Sequence, residues 1–392
     1  MEAQDVRCFF EPKSVAIVGA SRTPGRPGYM IIENLLKWGF TGSVYPVNPT
    51  AGEILGLKAY PDLERIPVPV ELVVSLAPAG ETLEVIEQSL RKGIKGVVIV
   101  SGGFSEVDPS ATEIEKRIVI RARQGGIRVM GPNVIGPINT SNNFVLSFYP
   151  PSRLRKGNVA FIAQSGQFCS PVMDWMASHL RLGVSKSIDL GNKCDLDEAD
   201  ILDYLENDVD TKAVALYIEG FKDGGRFLRV AERVSRKKPI VVFKTGRTPA
   251  GAKAAASHTG AMANDDRIAD ALIRQAKLIR ASNLDEFLDL AKAFQYLSPP
   301  GGRKVGIITY SGGIAAMAAD AVTDWELELG ALSSQTLERL RRLDPVIKPS
   351  NPLDLFAVAP PSDVFELYII SSSHQSSLTM PLSLSVVDLR RP

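Results

Sequence analysis

The residue best suited to chemistry in this sequence is His258, which lies in a long stretch of small residues, TGRTPAGAKAAASHTGA, at 245–261. The chain has three histidines. Of the other two, His179 lies in an amphipathic helical pattern and His374 lies in a serine-rich stretch. A neutral imidazole is nucleophilic near pH 7, so it can accept a phosphoryl group and release it again. The small residues around His258 predict an exposed, mobile loop rather than a packed helix face.

A second candidate is Glu219, which directly follows the apolar run AVALYI at 213–218. That run has the composition of a buried strand. Ligands of parallel sheets bind at the carboxyl ends of the strands, so Glu219 lies where a ligand is expected. Its carboxylate can hold one ring nitrogen of a histidine and leave the other free to react. The alternative is a glutamate at a strand end with no role in function.

Two turns combine serine and glycine between a predicted strand and a predicted helix. They consist of Gln164, Ser165 and Gly166, and of Ser311, Gly312 and Gly313. Each turn offers backbone N–H groups at the N-terminus of a helix, where the helix dipole favours an anion. Two such sites in different domains can converge on one phosphate. Ordinary capping of the helix by serine is the alternative for each turn alone.

A glycine-rich turn that begins at Gly19 follows the strand pattern Ser14–Val18. Its spacing, G-x5-G-x2-G, differs from the GxGxxG fingerprint of dinucleotide-binding folds. The next strand ends in Pro-Val-Asn-Pro at 46–49, without the acidic residue that would hold a ribose diol. Arg22 and Arg26 instead favour a ligand with a phosphate beyond the pyrophosphate, such as the adenosine 3′-phosphate of coenzyme A. A structural turn with two solvated arginines is the alternative.

Small or polar residues follow several strands of the same predicted sheet, where they let a ligand approach the backbone closely. The predicted cofactor-binding residues are Gly19, Ser21, Arg22, Arg26, Asn48, Pro49, Ser75, Ala77, Ser101, Gly102 and Asn133. Together they predict a cleft at the carboxyl edge of the sheet, although each such turn alone is common.

Strand and helix patterns that alternate along the chain predict an α/β protein with parallel sheets covered on both faces by helices. A Pro/Arg-rich stretch at 150–156 and the sequence SPPGG at 298–302 predict the domain boundaries. We expect domains at 1–150, 156–298 and 303–370, followed by a disordered tail at 371–392.

Composition sets limits on the class of protein. The chain has 392 residues, enough for two or three domains at roughly 150 residues each. Its 45 basic and 44 acidic residues nearly cancel, which argues against a nucleic-acid partner held by overall charge. No apolar run approaches the ~18–20 residues that cross a bilayer, and the N-terminus lacks a signal-peptide pattern, so we expect a cytoplasmic protein with no membrane partner. Three cysteines without a close pair predict neither disulfides nor a metal site.

Seven motifs together resemble a known family. They are FFEPKSVAIVGAS, GPNVIGPIN, AQSG, YIEGFKDG, GRTPAGAKAAASHTGA, TYSGG and NPLDL, in order from about Phe9 to Leu355. This set is similar to the α subunit of acyl-CoA synthetases (NDP-forming), also called ADP-forming acetate–CoA ligases, which are relatives of succinyl-CoA synthetase. The loop with SHTGA and the YIEG motif are the most diagnostic.

The resemblance implies a Rossmann-like CoA-binding domain followed by two flavodoxin-like ligase domains, of which the last is truncated. It implies that an acyl-CoA reacts with phosphate to give an acyl phosphate, which phosphorylates His258. The phosphohistidine then passes its phosphoryl group to ADP, and the reverse direction uses ATP to make the thioester from a carboxylic acid and CoA. By the same resemblance, Glu219 orients the histidine and the two serine–glycine turns hold the phosphate.

The chain also departs from the family pattern. No ATP-grasp domain is recognisable, so we expect a separate β subunit that binds ADP or ATP and Mg²⁺, and therefore a hetero-oligomer or dimer. The third domain is shorter than the family's usual one, and we expect it to be incomplete. Two alternatives remain at this point: a catalytically inactive, CoA-binding regulatory module, and an NAD-dependent dehydrogenase, which the missing acidic residue disfavours.

Overall fold

The computed structural model describes the following residues: 6–149, 151, 154–169, 171–259, 265–297, 302–309, 311–343, 348–355 and 380–383. For 255–259, 343 and 380–383 only the backbone is described. These residues form two compact units, Met1–Leu297 and Ser298–Pro392, each of which is treated separately below.

The first part of the larger unit contains seven strands and three helices. The strands are β1 (Ser14–Val18), β2 (Ser43–Val47), β3 (Glu53–Ile54), β4 (Leu57–Lys58), β5 (Leu72–Ser75), β6 (Gly96–Ile99) and β7 (Arg128–Met130). The helices are α1 (Pro27–Lys37), α2 (Ala79–Arg91) and α3 (Thr112–Gln124), with short 3₁₀ turns at Arg7–Phe9 and Pro109–Ala111.

Five of these strands form a parallel sheet in the order β2-β1-β5-β6-β7, whereas β3 and β4 form a separate hairpin. Every residue of β5 and β6 is buried, as in a sheet covered on both faces. The strands run in one direction, so the turns that follow β1, β5, β6 and β7 meet at one edge. The predicted α/β architecture is confirmed here.

The larger unit continues with a second sheet. Its strands are β8 (Ile138–Asn139), β9 (Phe144–Val145), β10 (Lys156–Ala163), β11 (Val184–Asp189), β12 (Ala213–Ile218), β13 (Ile240–Lys244) and β14 (Ile279–Arg280). Its helices are α4 (Pro171–Trp175), which continues as a π-helical turn over Met176–Leu180, α5 (Glu198–Leu205), α6 (Gly224–Ser235), α7 (Pro249–Thr259), α8 (Asp266–Gln275) and α9 (Leu284–Tyr296).

The seven strands have the order β14-β13-β12-β10-β11-β8-β9. Those from β14 to β11 are parallel, and β8 pairs with β11 in the antiparallel direction. The hairpin of β8 and β9 therefore belongs to the second sheet, although the domain prediction assigns 138–145 to the first domain. One buried apolar cluster contains residues from both sheets, among them Ile17, Val74, Ile162 and Leu216, so the two sheets share a core.

The segment that carries His258 differs from the sequence prediction. Its backbone forms helix α7 over Pro249–Thr259, where a loop is expected from the small residues. Alanine has the highest helix propensity of all residues, and the segment contains the run AKAAA, so local preference favours a helix. The following residues, 260–264, lie outside the described part of the chain.

The described residues of the smaller unit form four strands and two helices. These are β15 (Lys304–Thr309), α10 (Gly312–Asp324), β16 (Glu328–Leu329), α11 (Ser334–Leu343), β17 (Leu353–Asp354) and β18 (Met380–Ser383). All three other strands pair with β15 in the parallel direction. Because β18 lies within the predicted disordered tail, that prediction is wrong for 380–383, where pairing with β15 gives the segment a partner. The remainder of the tail lies outside the described residues.

A membrane-spanning helix needs both length and an apolar sequence. Among the helices of the described residues, none is both long enough and apolar enough to cross a membrane.

Candidate functional site

The ends of β10 and β12 meet through the side chain of Gln164. The Gln164 backbone N–H donates to Tyr217 O at 3.1 Å, and its side-chain Oε1 accepts from the backbone N–H groups of Glu219 at 3.1 Å and Gly220 at 3.3 Å. Gln164 is 1% exposed, and its Nε2 is buried without a hydrogen-bond partner among the described residues. The amide oxygen therefore holds the backbone of Glu219, and the amide nitrogen keeps its N–H donors for a ligand.

Glu219 is buried at this strand end, with 6% of its surface exposed. The backbone beyond it is fixed by a second contact, because Lys193 Nζ donates to Gly220 O at 2.6 Å. The same Nζ lies 3.0 Å from an oxygen of Glu198 in a fully buried ion pair. Two independent side chains thus fix the backbone of the turn that carries Glu219.

The turn after β10 has a different geometry from the predicted one. Phe168 N donates to Ser165 O and Cys169 N donates to Gly166 O, so these residues form their own hydrogen-bonded turn. The helix α4 begins only at Pro171 and spans five residues. The helix predicted to start at this turn is therefore absent from it, because the hydrogen-bonded turn precedes Pro171; phosphate binding by these residues stays a prediction. Gln164, Ser165 and Gly166 still lie at the carboxyl edge of the sheet.

Close packing explains the glycine at position 166. A Cβ there would lie 2.8 Å from the Ile135 side chain, which belongs to the GPNVIG turn after β7. It would also lie 3.2 Å from Oδ2 of Asp189, the last residue of β11. The turn after β10 thus contacts both the first sheet's edge and the neighbouring strand.

Sequence reasoning missed Asp189 as a site residue. Its carboxylate is 1% exposed and accepts hydrogen bonds from the backbone N–H groups of Ile135 at 2.9 Å and Gly191 at 3.2 Å. Burial raises the pKa of Asp189 to about 6, the two N–H groups oppose the rise, and the negative charge of Glu219 adds to it. In the sequence, one feature could have identified Asp189 as a site residue: it is the last residue of a predicted parallel strand.

Lys244, at the end of β13, is a second missed residue. It is 1% exposed, it pairs in register with Ile218, and its Nζ donates to Thr245 O. Burial lowers the pKa of Lys244, while the carboxylates of Asp266 and Glu219 favour its charged form. A cation therefore lies in the electrostatic environment of Glu219.

The position of His258 is described for its backbone only, as the penultimate residue of α7. Its side chain lies outside the described set, so its proximity to Glu219 stays a prediction.

Several predicted cofactor residues of the first sheet are joined by hydrogen bonds. Ser75 Oγ accepts from Ala77 N at 3.3 Å, Ser101 Oγ donates to Ala77 O at 2.6 Å, and Asn133 N donates to Ser101 O at 3.0 Å. The neighbouring Gly102 has Asn133 Oδ1 3.4 Å from where its Cβ would lie. The turns after β5, β6 and β7 therefore form one continuous edge.

The glycine-rich turn extends that edge. Asn48 Nδ2 donates to Ala20 O at 2.7 Å, and Gly19 N donates to Val47 O at 3.2 Å, so the ends of β1 and β2 are fixed to each other. Arg22 and Arg26 are both exposed and are available to a phosphate. The remaining predicted residues, Ser21 and Pro49, lie in the same two turns.

The second serine–glycine turn belongs to the smaller unit. Ser311 is the N-cap of α10, and its Oγ accepts from Ile314 N at 3.4 Å. Capping, the simpler of the two sequence interpretations, accounts for the hydroxyl of this serine. Gly312 and Gly313 form the first turn of the helix and leave its N-terminal N–H groups exposed.

Within the described residues, no group of three or more His, Cys, Asp and Glu side chains is arranged to hold a metal ion.

Comparison with known proteins assigns families to the two sheets of the larger unit. Residues 13–140 match the model of a CoA binding domain, and residues 156–294 match the model of a succinyl-CoA ligase like flavodoxin domain. The fold of the chain also resembles that of the dinucleotide forming acetyl-coenzyme A synthetase 1 of Ca. Korarchaeum cryptofilum, solved in complex with phosphate and ADP. The TM-score is 0.86 at 35% identity, over 94% of this chain and 78% of that chain.

Curated relatives give the same result. Acetate–CoA ligase [ADP-forming] II of Archaeoglobus fulgidus is 43% identical over 93% of this chain and 54% of its own length. The chain spans about half the length of this relative and of a second one, from Methanocaldococcus jannaschii, of which it covers 49%. Acetate–CoA ligase [ADP-forming] I subunit alpha of Pyrococcus furiosus is 40% identical, over 90% of this chain and 77% of that subunit. As its motifs predicted, the chain belongs to the family of ADP-forming acetate–CoA ligases.

Proposed function

We propose that the chain is the CoA- and phosphate-handling part of an ADP-forming acyl-CoA ligase. In this function an acyl-CoA and phosphate give an acyl phosphate and CoA, and the acyl phosphate then phosphorylates His258. The observation that carries the proposal is the buried pair of Gln164 and Glu219, in a chain that belongs to this family. The pair supplies a fixed carboxylate for an imidazole and an unused amide donor for a phosphate oxygen.

Each residue has a defined part in this scheme. Glu219 accepts a hydrogen bond from one imidazole nitrogen, which leaves the other nitrogen unprotonated and nucleophilic. Gln164 Nε2 and the backbone of Ser165 and Gly166 bind the phosphate. In the smaller unit, the N-terminal N–H groups of α10, from Gly312 and Gly313, are proposed to bind a phosphate anion.

The two exposed arginines and the first sheet's edge are proposed to bind CoA. Arg22 and Arg26 would contact the 3′-phosphate, and the turns with Asn48, Ser75, Ser101 and Asn133 would lie along the rest of the molecule.

The nucleotide step is proposed to need a partner. Two relatives from Pyrococcus furiosus are named as alpha subunits, which implies that such chains work with a second subunit. We infer that the partner is an ATP-grasp protein that binds ADP or ATP with Mg²⁺ and takes the phosphoryl group from His258. The resulting assembly would be a hetero-oligomer.

The central test is labelling of the chain with acetyl phosphate that carries ³²P. The wild type should acquire an acid-labile label, and His258→Ala should lose it by a factor of about 10² or more, as for removal of a nucleophile. His179→Ala is the matched control, because His179 is an exposed histidine that stacks on Trp175. Equal labelling of the wild type and His258→Ala would contradict the proposal.

A second test concerns CoA. Arg22→Ala and Arg26→Ala should weaken CoA binding, measured by calorimetry, but leave the affinity for dephospho-CoA unchanged, because only CoA carries the 3′-phosphate. Arg65→Ala, at an exposed arginine of the same sheet region, is the control. Tight CoA binding without any phosphohistidine would favour the regulatory module instead.

A further inference from the structure

The Asp189 carboxyl lies where three chain segments of the larger unit meet. Its Oδ2 is 2.9 Å from the N–H of Ile135, in the turn after β7, and its Oδ1 is 3.2 Å from the N–H of Gly191. Oδ2 also faces Gly166, in the turn after β10. A Cβ added at Gly166 would lie 3.2 Å from this oxygen. The turn after β7 also contains Asn133, a proposed CoA residue, and the turn after β10 is the proposed phosphate site. Asp189 thus lies between the proposed positions of the two reactants.

Backbone groups hold this carboxyl, and no cation neutralises it within the described residues. The nearby titratable groups on neighbouring elements are Glu219, at the end of β12, and the thiol of Cys169, in the turn after β10. Lys193 Nζ bonds to Glu198 and Gly220 O, and Lys244 Nζ bonds to Thr245 O. On the opposite face of β11, Lys186 pairs with Asp208 at 2.7 Å.

The absence of an ion pair has a chemical consequence. Burial, together with the charge of Glu219, raises the pKa of Asp189 to about 6. A carboxyl group with a pKa near the working pH can both take and give a proton, which is the property of an efficient acid–base catalyst. The backbone N–H donors of Ile135 and Gly191 lower this pKa, but they do not offset the effect of burial.

We propose that Asp189 is the acid–base residue of the step that joins CoA to the acyl group, an inference that rests on the proposed function. In thioester synthesis, the Asp189 carboxylate takes the proton of the CoA thiol while the sulfur attacks the acyl carbon. The carbon–sulfur bond forms, the carbon–oxygen bond to phosphate breaks, and its electron pair stays on the phosphate. The phosphate then takes the proton from Asp189, which restores the carboxylate.

A base is needed at this step because a thiol with a pKa of about 8.5 is mostly protonated at neutral pH. In the reverse direction, the protonated form of Asp189 gives its proton to the departing sulfur and recovers one from the attacking phosphate. Glu219 and His258 take no proton in this step, since they act in the transfer between acyl phosphate and imidazole.

The test measures formation of acetyl-CoA from acetyl phosphate and CoA by the full chain between pH 5 and 7.5. In the wild type, kcat/KM for CoA should rise as pH increases through about 6, where Asp189 becomes charged. Asp189→Asn should reduce the rate at pH 7 by about 10²- to 10⁴-fold, the usual contribution of general acid–base catalysis, and should abolish the rise. The same variant should still be labelled at His258 by acetyl phosphate, because phosphorylation needs no proton at Asp189.

Asp197→Asn is the matched control. Asp197 is another buried aspartate, at the N-cap of α5, with a pKa that burial and the neighbouring Glu198 and Asp200 raise to about 6. Asparagine is an equally good N-cap, so this variant should keep the wild-type rate and pH profile. Circular dichroism checks folding, and Asp189→Ser, with the same expected loss, replaces Asp189→Asn if the latter unfolds.

The outcomes separate the two proposals. A wild-type profile that is flat between pH 5 and 7, or an Asp189→Asn variant with wild-type rate and pH dependence, would overturn the role of Asp189 and leave the proposed function standing. A wild-type chain that forms neither acetyl-CoA nor phosphohistidine would overturn the proposed function, and this role with it.

Discussion

Replacing Asp195 with asparagine should destabilise the larger unit, because Asp195 is the centre of a buried ionic cluster between the two sheets. Its side chain is fully buried, and it lies in the loop between β11 and α5. It accepts from Arg123 Nε at 2.8 Å, from Arg128 Nε at 2.8 Å and from the backbone N–H of Val129 at 2.9 Å. Asparagine has nearly the same size, so the substitution removes the charge without leaving a cavity.

The expected loss follows from the burial of the two arginines. The Arg128 side chain is 9% exposed and would lose its main counter-charge, whereas the Arg123 side chain is 53% exposed and can turn to water. Removing one partner of a buried ion pair typically costs about 3–5 kcal/mol. Arg128 keeps a second carboxylate, Asp200, at 3.2 Å. We therefore expect the lower end, about 3 kcal/mol, which lowers Tm by about 5 °C for a unit of this size.

Thermal and urea unfolding of the full chain, followed by circular dichroism, measure the change. Glu64→Gln is the control, because the Arg91–Glu64 pair is exposed to solvent on both sides and its loss should leave Tm unchanged. If an orphaned charge is the cause, adding Arg128→Met to Asp195→Asn should recover part of the loss. An Asp195→Asn variant as stable as the wild type would refute this reasoning.

Three further predictions concern the candidate site. Gly166→Ala should destabilise the larger unit by about 1–3 kcal/mol, because the new Cβ would lie 2.8 Å from the Ile135 side chain. Gly80→Ala, in open space on α2, is the control and should leave the stability unchanged. Urea unfolding measures both variants. Folding raises the pKa of Asp189 from 3.8 to about 6, so this group binds a proton on folding and the unfolding free energy should fall by about 2 kcal/mol as pH rises from 4 to 6. Asp189→Asn should remove this slope, and a slope equal to that of the wild type would contradict the assignment. Cys169 is fully buried, and burial raises the pKa of its thiol. Mass spectrometry should therefore find it unmodified by iodoacetamide at pH 7.5 until urea is added. Rapid modification of the native chain would contradict this burial.

Periodicity and composition predicted most of the architecture. Strands such as β1, β12 and β13 are continuous apolar runs, which is the pattern of parallel strands buried on both faces. The helices α3 and α9 are amphipathic, which is the pattern of helices that cover a sheet. Both features are local, so a single sequence contains them.

The features that were missed depend on distant contacts. Whether the segment with Ile138 pairs with the first or second sheet depends on β11, which lies more than forty residues away. The raised pKa of Asp189 depends on its burial and on the charge of Glu219, which only the folded arrangement reveals. His258 was singled out for its chemistry, but the small residues around it led to a wrong backbone prediction, because the alanines among them favour a helix.

The hairpin of β8 and β9 imposes an order on the folding of this chain. It covers the outer edge of β11 and so protects an otherwise open strand from pairing with another molecule. A ribosome releases these residues before β11, so the hairpin must wait for that strand to emerge. Asn34, on α1, also donates to Ser147 O at 2.7 Å, which ties the first sheet to the segment just beyond the hairpin. The two sheets therefore complete their fold together, and a fragment cut between them would expose the unpaired edge and be prone to aggregate.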